Sequence, residues 1–468
     1  MKMPRLLLAC SLLLPQLAAA AEFDGSRLSP LWGVPFAGIL LSIALLPLLA
    51  PQFWHHHFGK VAAAWALAFL VPFAAMFGSS AAGVALAHVV LAEYLPFVIL
   101  LTALFTVSGG IYIRGNLHGT PELNVAILGI GAFLASIMGT TGASMLLIRP
   151  LIRANDNRKH VAHIVVFFIF IVSNAGGSLT PLGDPPLFLG FLKGVDFFWT
   201  VRHIFPETLY LVGSLLLIFY AMDRWYFARR EEFRPVDPTP DTRGVGFDGA
   251  RNFWLLGAVV ALVLLSGIWK SPIGFEVAGT RVGLPGIVRD LGLVVVTILS
   301  LRITPAGVHE ANQFSWGPMQ EVAKLFAGIF LTIIPVIAML RAGIDGPFGA
   351  VIAAVTRPDG TPDPAAYFWA SGLLSSFLDN APTYLVFFNT AGGDPKELMT
   401  HLAPVLAAIS AGSVFMGANS YIGNAPNLMV KAIAEDRGVR MPSFFGYMAW
   451  SACILVPLFV VMTFVWFK

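Results

Sequence analysis

The chain has little charge. Of its 468 residues only 12% are Asp, Glu, Lys or Arg, while 57% are hydrophobic and the mean hydropathy is +0.77. A soluble domain carries about 25% charged residues, so this composition excludes an ordinary hydrated surface and predicts a polytopic membrane protein whose solvent is lipid. Cysteine is also scarce. Cys10 lies in a leader-like segment and leaves Cys453 as the other one, which excludes a disulfide framework and a cysteine metal site. No glycine-rich phosphate cradle is apparent, which argues against ATP-driven transport. No cofactor and no nucleic-acid partner are expected.

What is present is apolar and segmented. Residues 1–22 combine Lys2 and Arg5 with an apolar core and an alanine-rich end, the pattern of a secretory signal peptide. Stretches long enough to span occur near 31–51, 58–77, 90–113, 203–222, 252–270, 287–302, 322–341 and 443–467, since a crossing needs about 20 residues. Two more, 160–192 and 400–433, are interrupted by polar and helix-breaking residues. In 122–153 and 364–391 a polar tip separates two arms of about 12–14 residues, too short to cross and suited to re-entrant hairpins. The expectation is an all-α fold with ten crossings and two hairpins. The moderate excess of Lys and Arg on alternate loops orients it in a bacterial inner membrane. The charged, proline-bearing stretch 223–251 reads as a cytoplasmic linker between a first transmembrane repeat, 31–222, and a second, 252–468. His55, His56 and His57 fall in a loop and read as solvated rather than metal-binding.

An internal repeat supports the division. A shift of 240 residues lays PLGDPP (181–186) on YIGNAP (421–426), so that Gly177 falls on Gly417, Gly183 on Gly423, Asp184 on Asn424 and Pro186 on Pro426. The same shift superposes the hairpins and the last spans of each half. Five crossings per half, one of them discontinuous, is an odd number, so the second half enters from the opposite side. Inverted repeats with interrupted helices near the midplane mark secondary transporters.

Four polar elements then stand out: the tips MGTTGAS (138–144) and SSFLDNAPTY (375–384), and the breaks SNAGGSLTPLGDPP (173–186) and GANSYIGNAPN (417–427). Freed carbonyls and amide or hydroxyl oxygens suit a small hard cation. Asp184 and Asp379 are the carboxylates of these elements, with no basic residue beside them, which disfavours a bulky polyanion unless cations accompany it. A carboxylate out of water holds its proton more tightly, and a bound sodium opposes that, so competition at one carboxylate suffices for exchange. Plainer roles compete. Asp184 before Pro185-Pro186, and Asn424 before Ala425-Pro426, could cap half-helices. Asn380 looks a better cap than Asp379. Thr140, Thr141 and Ser144 could serve helix packing, and Arg149 and Arg153 could snorkel to headgroups.

At GTTGASMLLIRPLIRAN (139–155), SNAGGSLTPLGDPPLFLGFL (173–192), LDNAPTYLVFFNTAGG (378–393) and GANSYIGNAPNLMVKAIAE (417–435) the chain resembles the ion transporter superfamily. Its bacterial sodium/proton antiporter branch of the NhaD/NhaE type, grouped with citrate transporters, is the most similar. The resemblance implies a scaffold and a mobile transport region, a homodimer, and elevator-like alternating access. It implies ion binding by Asn174, Asp184, Asp379 and Asn380, with Thr140 and Thr141 contributing. Some antiporter relatives carry an acid at the first tip, where this chain has Gly139. The paired Ser-Asn-Thr motif of dicarboxylate relatives is absent from both tips.

The expected function is a sodium (or lithium)/proton antiporter. Asp184 and Asp379 take the ion or proton, and Asn174, Asn380, Thr180, Asn419, Ser420 and Asn424 complete an oxygen shell. The rivals are a cation-coupled citrate or dicarboxylate transporter on the same scaffold and, remotely, an intramembrane aspartyl protease using Asp184 and Asp379 as a dyad.

Overall fold

The computed structural model describes residues 24–468 apart from 230, 231, 235, 236, 240, 241 and 243. The leader-like segment 1–22 lies outside the described residues. The chain is all-α and polytopic. Its helices are α1 Val34–Leu49, α2 Pro51–Phe77, α3 Ser79–Gly109, α4 Pro121–Met138, α5 Thr140–Ala154, α6 Ala162–Ile171, α7 Pro185–Leu192, α8 Trp199–Phe227, α9 Asn252–Ile268, α10 Leu284–Ile303, α11 Gly317–Thr332, α12 Ile334–Arg341, α13 Pro364–Ser375, α14 Asn380–Thr390, α15 Ala403–Phe415, α16 Ala425–Asp436 and α17 Phe444–Met462. Among the described residues eight helices are long and apolar enough to cross a membrane, or up to nine if α11 and α12, bent by 41°, count as one span. The sequence predicted ten crossings. The difference lies in interrupted or shorter elements such as α9 and α15, which fall below crossing length when taken alone. Two short antiparallel pairs complete the structure: β1 Tyr112–Arg114 with β2 Gly246–Asp248, and β3 Gly274–Val277 with β4 Thr280–Gly283.

Elements recur at the 240-residue offset. α4 and α5 correspond to α13 and α14, α6 to α15, the 3-10 turn Ala175–Leu179 to Met416–Asn419, α7 to α16, and α8 to α17. Packing also alternates between halves. α2 lies against α11 and α3 against α10, while α1 covers α2 and α9 covers α10. One hairpin arm differs from expectation: α4 has 18 residues, long enough by length and composition to cross.

The interrupted helices sit inside the protein. Every residue from Ile164 to Val172 is fully buried, so this all-apolar run faces protein on all sides, as a helix hydrophobic around its whole circumference should. α2 instead turns Leu67, Val71 and Met76 outward. Each break ends at a proline-led helix, α7 at Pro185-Pro186 and α16 at Ala425-Pro426. There the missing proline N–H would have lacked a partner anyway. Within each break the chain crosses itself backbone to backbone. A Cβ on Gly177 would stand 2.9 Å from the Gly183 carbonyl oxygen, and one on Gly423 2.5 Å from the Gly417 carbonyl oxygen. A Cβ on Gly183 would collide with the Gly177 carbonyl, its carbon 2.8 Å away. Gly183→Ala is therefore expected to destabilise by about 3 kcal/mol, the upper range for overpacking. Gly257→Ala, where a Cβ meets nothing, leaves the thermal midpoint unchanged or higher. Parallel thermal unfolding in detergent checks the contrast.

The hydrophilic stretch after α8 folds back onto the loop between α5 and α6. α8 continues to Phe227 and carries Asp223 in its last turns. Fully buried Arg158 donates to Asp223 at 2.5 Å and to Glu232 at 3.4 Å. His163 Nε2 lies 2.8 Å from Asp223, and Asn124 donates to it at 2.9 Å. Lys159 N–H donates to the Glu232 carbonyl at 2.8 Å, and Thr239 donates to Asp156 at 2.7 Å. The segment is thereby tied to the interrupted-helix half of the fold.

Candidate functional site

The four polar elements converge on one carboxylate. Asp184, 2% exposed, stands at the N-cap position of α7, but its side chain makes no capping hydrogen bond. It accepts instead from Thr140 Oγ1 at 3.0 Å, from Asn380 Nδ2, and from Asn424 Nδ2 at 3.4 Å. Thr140 comes from the first tip, Asn380 from the second, and Asn424 from the second break. The partners obey the repeat, since Thr140 and Asn380 are 240 residues apart, as are Asp184 and Asn424.

Local structure explains the convergence. Gly139, at φ +83°, turns the chain sharply into α5, and Thr140 N–H donates to the Gly183 carbonyl at 2.9 Å. At the second tip Asp379 is the N-cap of α14, accepting from Ala381 N–H at 3.1 Å. This reverses the expected assignment. Asp379 caps and Asn380 does not, so Asn380 becomes the first helical residue, fully buried and aimed at Asp184. Of the two acids, Asp184 is therefore the one whose carboxylate is free of helix capping.

Asn174, fully buried, donates to the Ile169 carbonyl and to Asn427 Oδ1, each at 2.8 Å, and accepts from Asn424 at 3.3 Å. Asn427 was not singled out from the sequence. It donates to the Gly417 and Ser420 carbonyls, both at 2.9 Å, and so braces the second break. At the offset it pairs with Leu187, so the repeat gave no signal for it. Its position in the first turn of α16 was the available clue.

Thr180 and Ser420 sit at the same repeat position and act away from the carboxylate. Thr180 donates to the Ser136 carbonyl at 2.5 Å, and Ser420 donates to the Ser376 carbonyl. They fasten each break to the first arm of its hairpin. Ser136 and Ser376, themselves 240 residues apart, complete the fastening by donating to the Gly176 and Met416 carbonyls. Asn419 donates to Ser376 Oγ at 2.9 Å. Thr141 is half-buried beside the site. Ser144 and Ser173 share a hydrogen bond at 2.9 Å deeper in the hairpin.

The chemistry of this cluster is oxygen-rich and carries no cation. The donors to Asp184 are neutral, and neither Asp184 nor Asp379 has an ion-pair partner among the described residues. The oxygens Asn380 Oδ1 and Asn419 Oδ1 are buried with no donor among the described residues. A bare amide oxygen on Asn380, whose Nδ2 donates to the acid, fits a small hard cation. Among the described residues no group of three His, Cys, Asp or Glu side chains converges as a metal site. Arg149 and Arg153 are held by protein groups. Arg149 is 8% exposed, and Arg153 donates to Tyr112 and to the Ile113 and Gly115 carbonyls.

Comparison with known proteins agrees with this architecture. A "46 kDa membrane protein" of Mycobacterium leprae (strain TN) is 23% identical over 339 residues, covering 70% of this chain and 73% of its own. Residues 25–467 match the family described as "Putative citrate transport". With all but the ends of its sequence inside that match, the chain belongs to this transport family and is one of its multi-pass membrane proteins.

Proposed function

We propose that the protein is a secondary antiporter exchanging Na+, and Li+, for H+ across a bacterial inner membrane. The observation that carries the reading is Asp184: a carboxylate held by Thr140, Asn380 and Asn424 at the meeting point of four interrupted elements, with no basic side chain in contact. Na+ would displace the neutral donors and draw in Asn380 Oδ1, and H+ would release it. Asp379, on the tip that carries Asn380, is the second acid. The interrupted helices and hairpins would move as a unit against α1–α3 and α9–α12, the two halves would be inverted in the membrane, and the protein would work as a homodimer.

A second reading, a cation-coupled citrate transporter, is favoured by the family description. It requires cations to enter with the anion, because the polar cluster supplies no positive charge of its own. Proteoliposomes holding a pH gradient separate the two. The antiport reading expects Na+ and Li+, and not K+, to dissipate the gradient without citrate. Citrate uptake that needs a Na+ or H+ gradient, with no citrate-free proton flux, would replace it by the second reading.

A further inference from the structure

Among the described residues Arg149 is a buried cation without an anion. It lies nine residues beyond Thr140 on α5, about 13 Å along the helix axis, and therefore outside the Asp184 cluster. Its Nη2 donates to Gln313 Oε1 at 3.2 Å, while its Nε and Nη1 are buried with no partner among the described residues. Arg437, exposed at the C-terminal end of α16, the helix packed against α5, is a second cation with no ion pair among the described residues. Burying an unpaired charge is expensive.

The neutral partner is itself held awkwardly. Gln313 has φ +50°, the left-handed region that residues with a side chain avoid. It lies in the loop between the short helix Ala306–Ala311 and α11, where Phe314 is clamped on Phe105 with ring centroids 5.2 Å apart. In that short helix both ring nitrogens of His309 are buried with no partner among the described residues. Nη2 belongs to both donor edges of a guanidinium, one shared with Nε and one with Nη1. The single oxygen of Gln313 fills one N–H where a two-oxygen anion at that place would fill two in fork geometry.

We propose that Arg149, with Arg437 at the rim, is a binding site for a small oxyanion, a carboxylate or phosphate group, and that the loop carrying Gln313 yields to it. The anion neutralises the pair and locks α5 and α16 of the interrupted-helix half to the loop 312–316. The inference stands apart from the antiport reading, because binding is read without transport. A soluble polycarboxylate or phosphate and a lipid phosphate share the required chemistry.

The test is thermal unfolding of the purified full-length protein. At about 10 mM, citrate or inorganic phosphate raises the midpoint by about 3 °C if the anion is soluble. A rise seen only with phosphatidylglycerol vesicles, and not with phosphatidylcholine vesicles, assigns the site to a headgroup. Arg149→Gln removes the response. Gln313→Glu places a carboxylate on Nη2 within the chain, so it melts higher than the parent without added anion and no longer responds to one. This second variant keeps the test decisive should Arg149→Gln fold poorly. No shift of the parent with any of the three probes, or an undiminished shift in Gln313→Glu, overturns the proposal.

Discussion

Asp184→Asn is expected to lower Na+-driven proton flux by about a hundredfold, the factor that corresponds to losing roughly 2.7 kcal/mol of ion binding, while leaving the protein folded. The substitution keeps the size of the side chain and its position before Pro185. Its new amide can still share hydrogen bonds with Thr140 and Asn424, but it offers neither a charge for Na+ nor a site for H+. Asp379→Asn is the informative companion. Asp379 caps α14 through Ala381 N–H, and Asn caps about as well as Asp, so stability should hold and any loss of flux reports the charge alone. Flux in proteoliposomes, compared with thermal unfolding of the same preparations, separates the two effects. A parent-like flux from Asp184→Asn would show that the carboxylate is not the coupling group.

Arg158→Ala carries the largest expected effect on stability. The side chains of Arg158 and Asp223 are both fully buried, and that of Glu232 nearly so. Removing one partner of a buried pair leaves an uncompensated charge and costs about 3–5 kcal/mol. Adding Asp223→Asn to Arg158→Ala should recover part of the loss, because one stranded carboxylate is gone while Asn124 and His163 can still hydrogen-bond there. Additive losses in thermal unfolding would mean that the two residues act separately.

The repeat carried much of the fold into view. The offset that lays Asp184 on Asn424 also lays Thr140 on Asn380, and those four side chains meet in space. Helix-breaking glycines and prolines in apolar runs located the breaks for a plain physical reason: irregular backbone is tolerated at membrane depth where it is buried in protein. Other features left no such trace. Asp184 and Asp379 both precede helices, and the choice of which one caps depends on the backbone entering each helix. Residue type does not encode that choice. The roles of Thr180 and Ser420 could not be separated from ion binding by composition, since a hydroxyl that fastens backbone looks the same in sequence as one that binds a cation. Arg149 and Arg153 sit near a helix end, where snorkelling is the common outcome, and only tertiary packing showed them held within the protein. The stretch after α8 looked like a free linker because its charges are dense. It is tied back through Glu232, which accepts from Arg158 more than seventy residues earlier in the chain.

The central claim is that Na+ and H+ compete for Asp184. The most direct measurement is Na+ binding to the purified protein by titration calorimetry across a range of pH, in buffers of different ionisation enthalpy so that released protons are counted. The account predicts that Na+ binding releases protons and that its apparent affinity weakens as pH falls, approaching about tenfold per pH unit once the carboxylate is mostly protonated. Both effects should vanish in Asp184→Asn. Na+ binding that is independent of pH, releases no proton and persists in Asp184→Asn would contradict it.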